Sequence, residues 1–449
     1  MRKKTETPIK DFIAAYVNSG ICRFHMPGHK GRGTLGAEVY DITEVVGADS
    51  LYSPSGIIAR SEEIASEIFG ARTHYSTEGS SHAIRAMVYL ATLRASESGA
   101  VGRILAGRNA HKTFLSAAAL MDVKVDWIPT VGSESYLSCA IDKDGLDRML
   151  SQDSGYAAVY ITTPDYLGGV LDVSEISRIT HKYGIPLLVD NAHGAYLKFL
   201  TESLHPMDLG ADMCADSAHK TLPVLTGGAY LHISKDAPRV FLERAVDALS
   251  LFGSTSPSYL TLQSLDAANA YLADGYREEL CEFCHTVSVI KQRLSDFGYT
   301  IVYTEPLKIT IASKSVGYTG YELADILRQN RIECEFSDPD YLVLMLTPSL
   351  DGCELDSLLR ALTSVERKAP ITDTPPCVKH TRAVMSPREA VLSSSERIPA
   401  GESVGRILAS LTVSCPPAVP IVTLGERIDE SAVNAFRYYG IDEVTVVKE

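Results

Sequence analysis

Basic charge is scarce in this 449-residue sequence: 42 Lys and Arg stand against 56 Asp and Glu, a net charge of −14. Such a chain is a poor partner for a nucleic-acid backbone or an anionic membrane, and suits a small cation better. Long apolar runs are missing too. The opening stretch MRKKTETPIKDFIAAYV is charged, and its apolar part is too short for a secretory signal or a membrane span. The expectation is a cytoplasmic protein that does not enter a membrane. Cysteines number nine, odd and widely scattered, which fits reduced thiols and excludes a disulfide scaffold. No internal repeat or low-complexity tract interrupts the chain. The length suits two to three domains, and the 45% apolar content is enough to give them cores.

One cysteine pair has the spacing of a haem attachment site, Cys281-Glu-Phe-Cys284-His285. It lies in DGYREELCEFCHTVSVIKQRL, whose apolar residues recur at helical spacing, so a helix face is the better reading. No second Cys/His pair supports zinc, and no metal is expected.

The first 45 residues mix Gly, Pro and basic groups and read as an arm. A helix is expected next, capped by Ser61 and ended by Gly70. Residues 46–255 alternate short apolar runs with helical patterns. RILA, AAVYITT, PLLVD, DMCAD and AYLHI are nearly continuous, as strands buried on both faces are. SEISRITHKYG between two of them makes a βαβ unit, hence an α/β domain on a mainly parallel sheet. Long amphipathic helices at about 259–296 open a smaller α+β domain, 256–372. KAPITDTPPC reads as a linker to a short C-terminal unit, 373–449.

The chemistry centres on Asp190 and Lys220. Asp190 ends the strand LLVD and precedes Asn191-Ala192-His193-Gly194; Lys220 follows in Ser217-Ala218-His219-Lys220-Thr221. Ligands of open α/β sheets sit at the carboxyl ends of strands, where Asp190 falls. A lysine able to form a Schiff base and an acid able to keep a pyridine nitrogen protonated are what pyridoxal 5'-phosphate needs. A strand-end acid and an unrelated surface lysine would look the same. Gly79-Ser80-Ser81 before an apolar helix offers a phosphate cradle, or an ordinary helix start. His111, just after RILA, is placed to stack on a cofactor ring or to sit in solvent. Ser217 is placed for a phosphate and His219 for proton transfer.

Taken together these segments resemble the bacterial ornithine/lysine/arginine decarboxylases in their short form. The likeness runs through Phe24–Gly31 (FHMPGHKG), Tyr40–Glu44, Gly79–Ser81, Arg108–Lys112 (RNAHK), Thr163–Tyr166, Asp190–Gly194 (DNAHG) and Ser217–Pro223 (SAHKTLP). It continues in Thr255–Tyr259 and the C-terminal CPPAVPIVTLGE, in the family's order and over nearly the whole chain. The resemblance implies the aspartate-aminotransferase fold (fold type I) with pyridoxal phosphate. By it, Lys220 carries the cofactor and Asp190 pairs with the ring nitrogen. His111 and Ala192 cover the ring faces, with His193 beside them. Gly79, Ser80, Ser81 and Ser217 hold the phosphate, helped by Thr255 or Ser256 of a neighbouring subunit. A homodimer with shared sites follows, acting on a basic amino acid, arginine ahead of lysine and ornithine. Glu335, Asp338 and Glu402 are candidates for the carboxylate that meets the substrate side chain. Three positions depart from the family's usual pattern: Glu78 for Asn, Asp165 for Thr and Asn191 for Glu. Another fold type I activity, such as an aminotransferase or lyase, and a regulatory homologue without catalysis are the rival readings.

Overall fold

The structure is a computed structural model that describes residues 5–97, 99, 102–131, 135–138, 140–302, 305–379, 382–411 and 419–449. The CPPA part of the C-terminal motif, 415–418, lies outside the described residues. The chain forms two compact units. One comprises Met1–Val101, Ser154–Ile161 and Val173–Glu279; the other comprises Gly102–Asp153, Thr162–Asp172 and Leu280–Glu449.

Seven strands come first in chain order: β1 (Arg72–Ser76), β2 (Arg103–Ala106), β3 (Lys124–Trp127), β4 (Ala158–Thr162), β5 (Leu187–Asp190), β6 (Met213–Asp216) and β7 (Ala229–Ile233). In the first unit the order is β1-β7-β6-β5-β4. β5 and β6 pair in parallel and are buried on both faces, which explains their unbroken apolar runs. AYLHI departs from the parallel expectation: β7 runs antiparallel to both β6 and β1. Between β6 and β7 the only helix is the single turn Ala218–Thr221, and a parallel return needs a full crossover. β1, RTHYS, has no apolar run to announce it, yet four of its five residues are buried.

The helix expected from Ser61 begins earlier, at Ile57, with Gly56 as its cap residue. The Asp49 carboxylate accepts from the backbone N–H groups of Gly56, Ile58 and Ala59, so it does the capping from outside the helix. Ser61 is thereby released into the core, where its hydroxyl donates to Asp266 and meets the Tyr75 phenol. Gly70 does end the helix, in the left-handed conformation.

In the second unit β2 and β3 pair in parallel. β8 (Thr300–Val302), β9 (Lys308–Ala312), β10 (Phe336–Ser337) and β11 (Tyr341–Met345) form an antiparallel sheet in the order β10-β11-β9-β8. Helices Gly320–Gln329 and Gly352–Thr363 accompany it, each opened by a capping box, Thr319/Glu322 and Asp351/Glu354. Towards the C-terminus β12 (Ser395–Pro399) pairs with β13 (Glu443–Val447). A core of Leu408, Ile421, Ile428, Phe436 and Val446 packs with them. Cys281 and Cys284 lie inside the helix Tyr276–Phe297, and the seven described cysteines are free thiols.

Candidate active site

The short buried strands β5 and β6 deliver the chemical groups of the first unit at their carboxyl ends. Asp190, the last residue of β5, is 2% exposed. The Tyr160 hydroxyl on neighbouring β4 donates to its Oδ2 at 3.0 Å, and the Ala192 backbone N–H donates to Oδ1 at 3.2 Å. Burial pushes this carboxyl above the ordinary aspartate range, against the pull of the Lys220 charge and the Tyr160 hydrogen bond.

Lys220 sits in the one-turn helix after β6, its Nζ 3.0 Å from His193 Nε2. An ammonium has only donors, so the imidazole accepts at Nε2. His193 and Ala192 are both buried. Tight packing of the intervening loop requires Gly194: a Cβ there would stand 1.9 Å from Asn191 Oδ1. His219 donates from Nδ1 to the Gly228 carbonyl at 2.9 Å, leaving the lone pair on Nε2. Burial, helped by the Lys220 charge, lowers its pKa and keeps the ring neutral.

Ser217, directly after β6, donates its hydroxyl to Ser80 Oγ at 2.7 Å, so two hydroxyls far apart in sequence meet. Ser80 and Ser81 open the 18-residue helix Ser80–Glu97, and Gly79 precedes it at φ +75°, where glycine carries no steric penalty. Such a turn at a helix start, with the buried hydroxyls of Ser80 and Ser217 beside it, is suited to an anion. The departure at Glu78 does not place a charge among these oxygens at random: its Oε1 accepts from the Ser254 backbone N–H at 2.6 Å. That bond anchors the loop carrying Thr255 and Ser256, both exposed.

Sequence reading missed the group around Asp216, the last residue of β6. Asp216, fully buried, accepts from Asn191 Nδ2 at 2.8 Å, His205 Nε2 at 2.9 Å and His232 Nε2 at 3.2 Å. Burial alone would raise its pKa, but His205 and His232 hold it far below the usual range. The three side chains are close enough to share a metal ion. Both imidazoles already hydrogen-bond to one carboxylate oxygen in a fully buried core, and burial lowers the pKa of His232. A hydrogen-bonded triad describes this geometry.

The second unit holds His111 and two further motif residues. His111 caps the helix Lys112–Met121, its Nδ1 accepting from the Thr113 N–H. Arg108, three residues earlier, is bound by both carboxylate oxygens of Glu426 at 2.7 Å and lies 4.9 Å from the Trp127 ring centre. This buried pair joins RNAHK to the C-terminal LGE, two motifs with no sequence signal that they meet. Asp165 accepts from the Leu167 and Gly169 N–H groups and shapes its own turn. Of the carboxylates considered for the substrate side chain, Asp338 is buried, whereas Glu335 and Glu402 are exposed.

The architecture is that of the aspartate-aminotransferase-like enzymes of fold type I, as the solved structures it matches indicate. Lysine decarboxylase LdcF of Francisella novicida superposes with a TM-score of 0.79 at 16% identity, over 98% of this chain and 81% of that one. The constitutive lysine decarboxylase of E. coli gives 0.77 at 18% identity, over 99% and 82%. The description "Orn/Lys/Arg decarboxylase, major domain" fits residues 7–296, and "Orn/Lys/Arg decarboxylase, C-terminal domain" fits 374–444. An arginine decarboxylase of Bacillus subtilis (strain 168) is 30% identical over 96% of this chain and 92% of its own length. One from Halalkalibacterium halodurans is 30% identical over 96% and 93%. The chain belongs to the Orn/Lys/Arg decarboxylase family.

Proposed function

We propose that this protein decarboxylates a basic amino acid with pyridoxal 5'-phosphate, arginine ahead of lysine and ornithine. The observation that carries the reading is Asp190: a buried carboxylate at a strand end, held by Tyr160, in the unit that also presents Lys220 and the Ser80–Ser217 pair. These residues fit the cofactor. A buried acid suits a pyridine nitrogen, a lysine suits an aldehyde, and hydroxyls at a helix start suit a phosphate. When bound, the cofactor supplies a sink for the electron pair left at the α-carbon as carbon dioxide departs.

The chain's own groups supply the rest. Asp190 keeps a proton on the ring nitrogen, and Tyr160 orients it. Gly79, Ser80, Ser81 and Ser217 hold the phosphate. Ala192 and His193 would line the ring, and Lys220 would be its covalent anchor. Lys220 Nζ and His219 Nε2 are the groups able to move a proton at the substrate α-carbon. His219 is neutral with Nδ1 committed to Gly228, so Lys220 is the donor of the two.

A second copy of the chain completes the active unit in this reading. Phe24, Leu35 and Val46 of the arm are almost fully exposed, at 95%, 86% and 102%. In this reading a second copy would cover these bare apolar side chains. Light scattering on the purified protein should then give at least a dimer. Among the described residues no helix is long and apolar enough to cross a membrane.

The deciding experiment supplies arginine, lysine, ornithine and a keto acid in parallel and measures carbon dioxide and amine. Amine from a basic substrate supports the reading. An amino acid formed from the keto acid without carbon dioxide identifies an aminotransferase, and no turnover with cofactor bound removes the catalytic assignment.

A further inference from the structure

Asp190 and Asp216 end neighbouring strands on opposite faces of the sheet. β5 and β6 run parallel with Asp190 beside Ala215. Side chains alternate along a strand, so Asp216, one residue further, leaves the other face. Asn191, next to Asp190, leaves that same face. Its backbone N–H donates to the Ala215 carbonyl at 3.0 Å, and its side-chain N–H to Asp216 Oδ1 at 2.8 Å. Behind Asp190 the sheet therefore holds a second, fully buried carboxylate.

That carboxylate keeps its charge. His205 accepts at Nδ1 from the Met207 backbone N–H at 3.3 Å, so the proton it offers Asp216 from Nε2 belongs to a neutral ring. His232 gives its Nε2–H to the same oxygen and meets the Thr73 hydroxyl through Nδ1 at 2.9 Å. Burial lowers the pKa of His232 and keeps this ring neutral as well. Lys198, whose charge reaches His232, is already paired with Asp208. Cys214 and Tyr230 on the same face stay neutral, since burial and the Asp216 charge raise both. Asp216 thus has four hydrogen-bond donors, Asn191, Cys214, His205 and His232, and no cationic partner among the described residues. A full negative charge stays in the core.

A buried anion behind an acid makes the acid's proton harder to remove. Burial is the first cause of the raised Asp190 carboxyl, and the Asp216 charge adds to it while Lys220 and Tyr160 oppose it. We propose that Asp216 is a positioning residue that acts through Asp190. Its buried charge keeps a proton in the pair that Asp190 forms with a bound pyridine nitrogen, and its bond to Asn191 fixes the loop that begins there. His205 and His232 keep Asp216 anionic by donating hydrogen bonds without neutralising it. The inference rests on the reading of Asp190 as the partner of the cofactor ring.

The test is nitrogen NMR of the holoenzyme loaded with pyridoxal 5'-phosphate isotopically labelled at the ring nitrogen, whose resonance reports protonation there. Wild type, Asp216→Asn and the exchange variant Asn191→Asp/Asp216→Asn are titrated from roughly pH 6 to pH 10. Asp216→Asn removes the charge and keeps the shape. Its amide oxygen accepts from both histidines, and Asn191, whose Oδ1 is buried without a partner, turns its amide to accept the new N–H. The exchange variant swaps acid and amide across the same hydrogen bond and keeps the charge on this face. Expected is loss of the ring proton in Asp216→Asn at a pH about one unit below wild type, roughly tenfold in proton affinity. The exchange variant should stay within about 0.3 unit of wild type. A structural role alone would change stability or cofactor loading but not this midpoint. The same midpoint in Asp216→Asn as in wild type, or a ring protonated throughout in both, overturns the inference. Where Asp216→Asn does not fold, the exchange variant decides, and a midpoint about one unit below wild type there overturns it. A wild-type ring without its proton at about pH 7, or no cofactor bound, sinks the Asp190 reading and the inference with it. A protonated wild type with an unmoved Asp216→Asn sinks the inference alone.

Discussion

Asn191 donates its side-chain N–H to Asp216 Oδ1 at 2.8 Å, joining the loop after β5 to the last residue of β6. The bond accounts for an amide at a position where the family usually has Glu. Asp216 is buried and strongly ionised, held there by His205 and His232. A second carboxylate facing it would be buried beside a like charge with no donor.

Asn191→Asp should therefore destabilise the fold by about 3 kcal/mol or more, through an unpaired buried charge. Asn191→Ala should lose only about 1 kcal/mol, since Asp216 keeps its two histidines. Denaturant unfolding of both variants measures the gap. Equal stability of the two would mean that the 191–216 contact is not energetically coupled.

Asp190→Asn should retain the cofactor but lose catalysis about a thousandfold, or roughly 4 kcal/mol at the transition state, because an amide cannot stabilise a protonated ring nitrogen. Tyr160→Phe removes one neutral-to-charged hydrogen bond and should cost about tenfold. Steady-state rates alongside cofactor absorbance check both. An Asp190→Asn rate within about threefold of wild type would remove Asp190 from this role.

Lys220 should be the covalent site of the cofactor. Borohydride reduction followed by peptide mapping is expected to find the pyridoxyl mass on the peptide containing Lys220. Its appearance on Lys198, whose Nζ pairs with Asp208, would reassign the anchor.

Glu426→Gln should cost about 3–5 kcal/mol, since the Arg108 guanidinium would be left buried without its counter-charge. Replacing both partners, Arg108→Met with Glu426→Leu, should recover much of that loss. Thermal melts of the single and double variants give the comparison. A double variant as unstable as the single one would show that packing around Trp127 dominates.

Asp266 offers a pH test. Burial pushes its carboxyl up to about 6, while the unfolded value lies near 3.9. The folded chain therefore takes up this proton first as pH falls, and the penalty for the buried charge lifts below about 6. Between roughly pH 7 and pH 5, wild type should gain about 1 kcal/mol on Asp266→Asn. A stability difference that stays flat across that window would show that Asp266 does not titrate there.

Local sequence determined the elements whose signals are contiguous. LLVD and MCAD are strands because unbroken apolar runs can only be buried on both faces. The helical spacing around Cys281 and Cys284 was equally readable, as was the place of Asp190 at the end of its strand. Tertiary structure alone decided the rest. RTHYS became a buried strand by pairing with β7, and the direction of β7 followed from a connection too short for a crossover. Ser61 left its expected cap for the core because Asp49, twelve residues away, satisfies that helix start. Asp216 and its histidines, Ser80 on Ser217, and Arg108 on Glu426 are pairings of residues far apart in the chain. A single sequence carries the propensity of each residue, but only the folded backbone brings a distant donor within hydrogen-bonding distance of its acceptor.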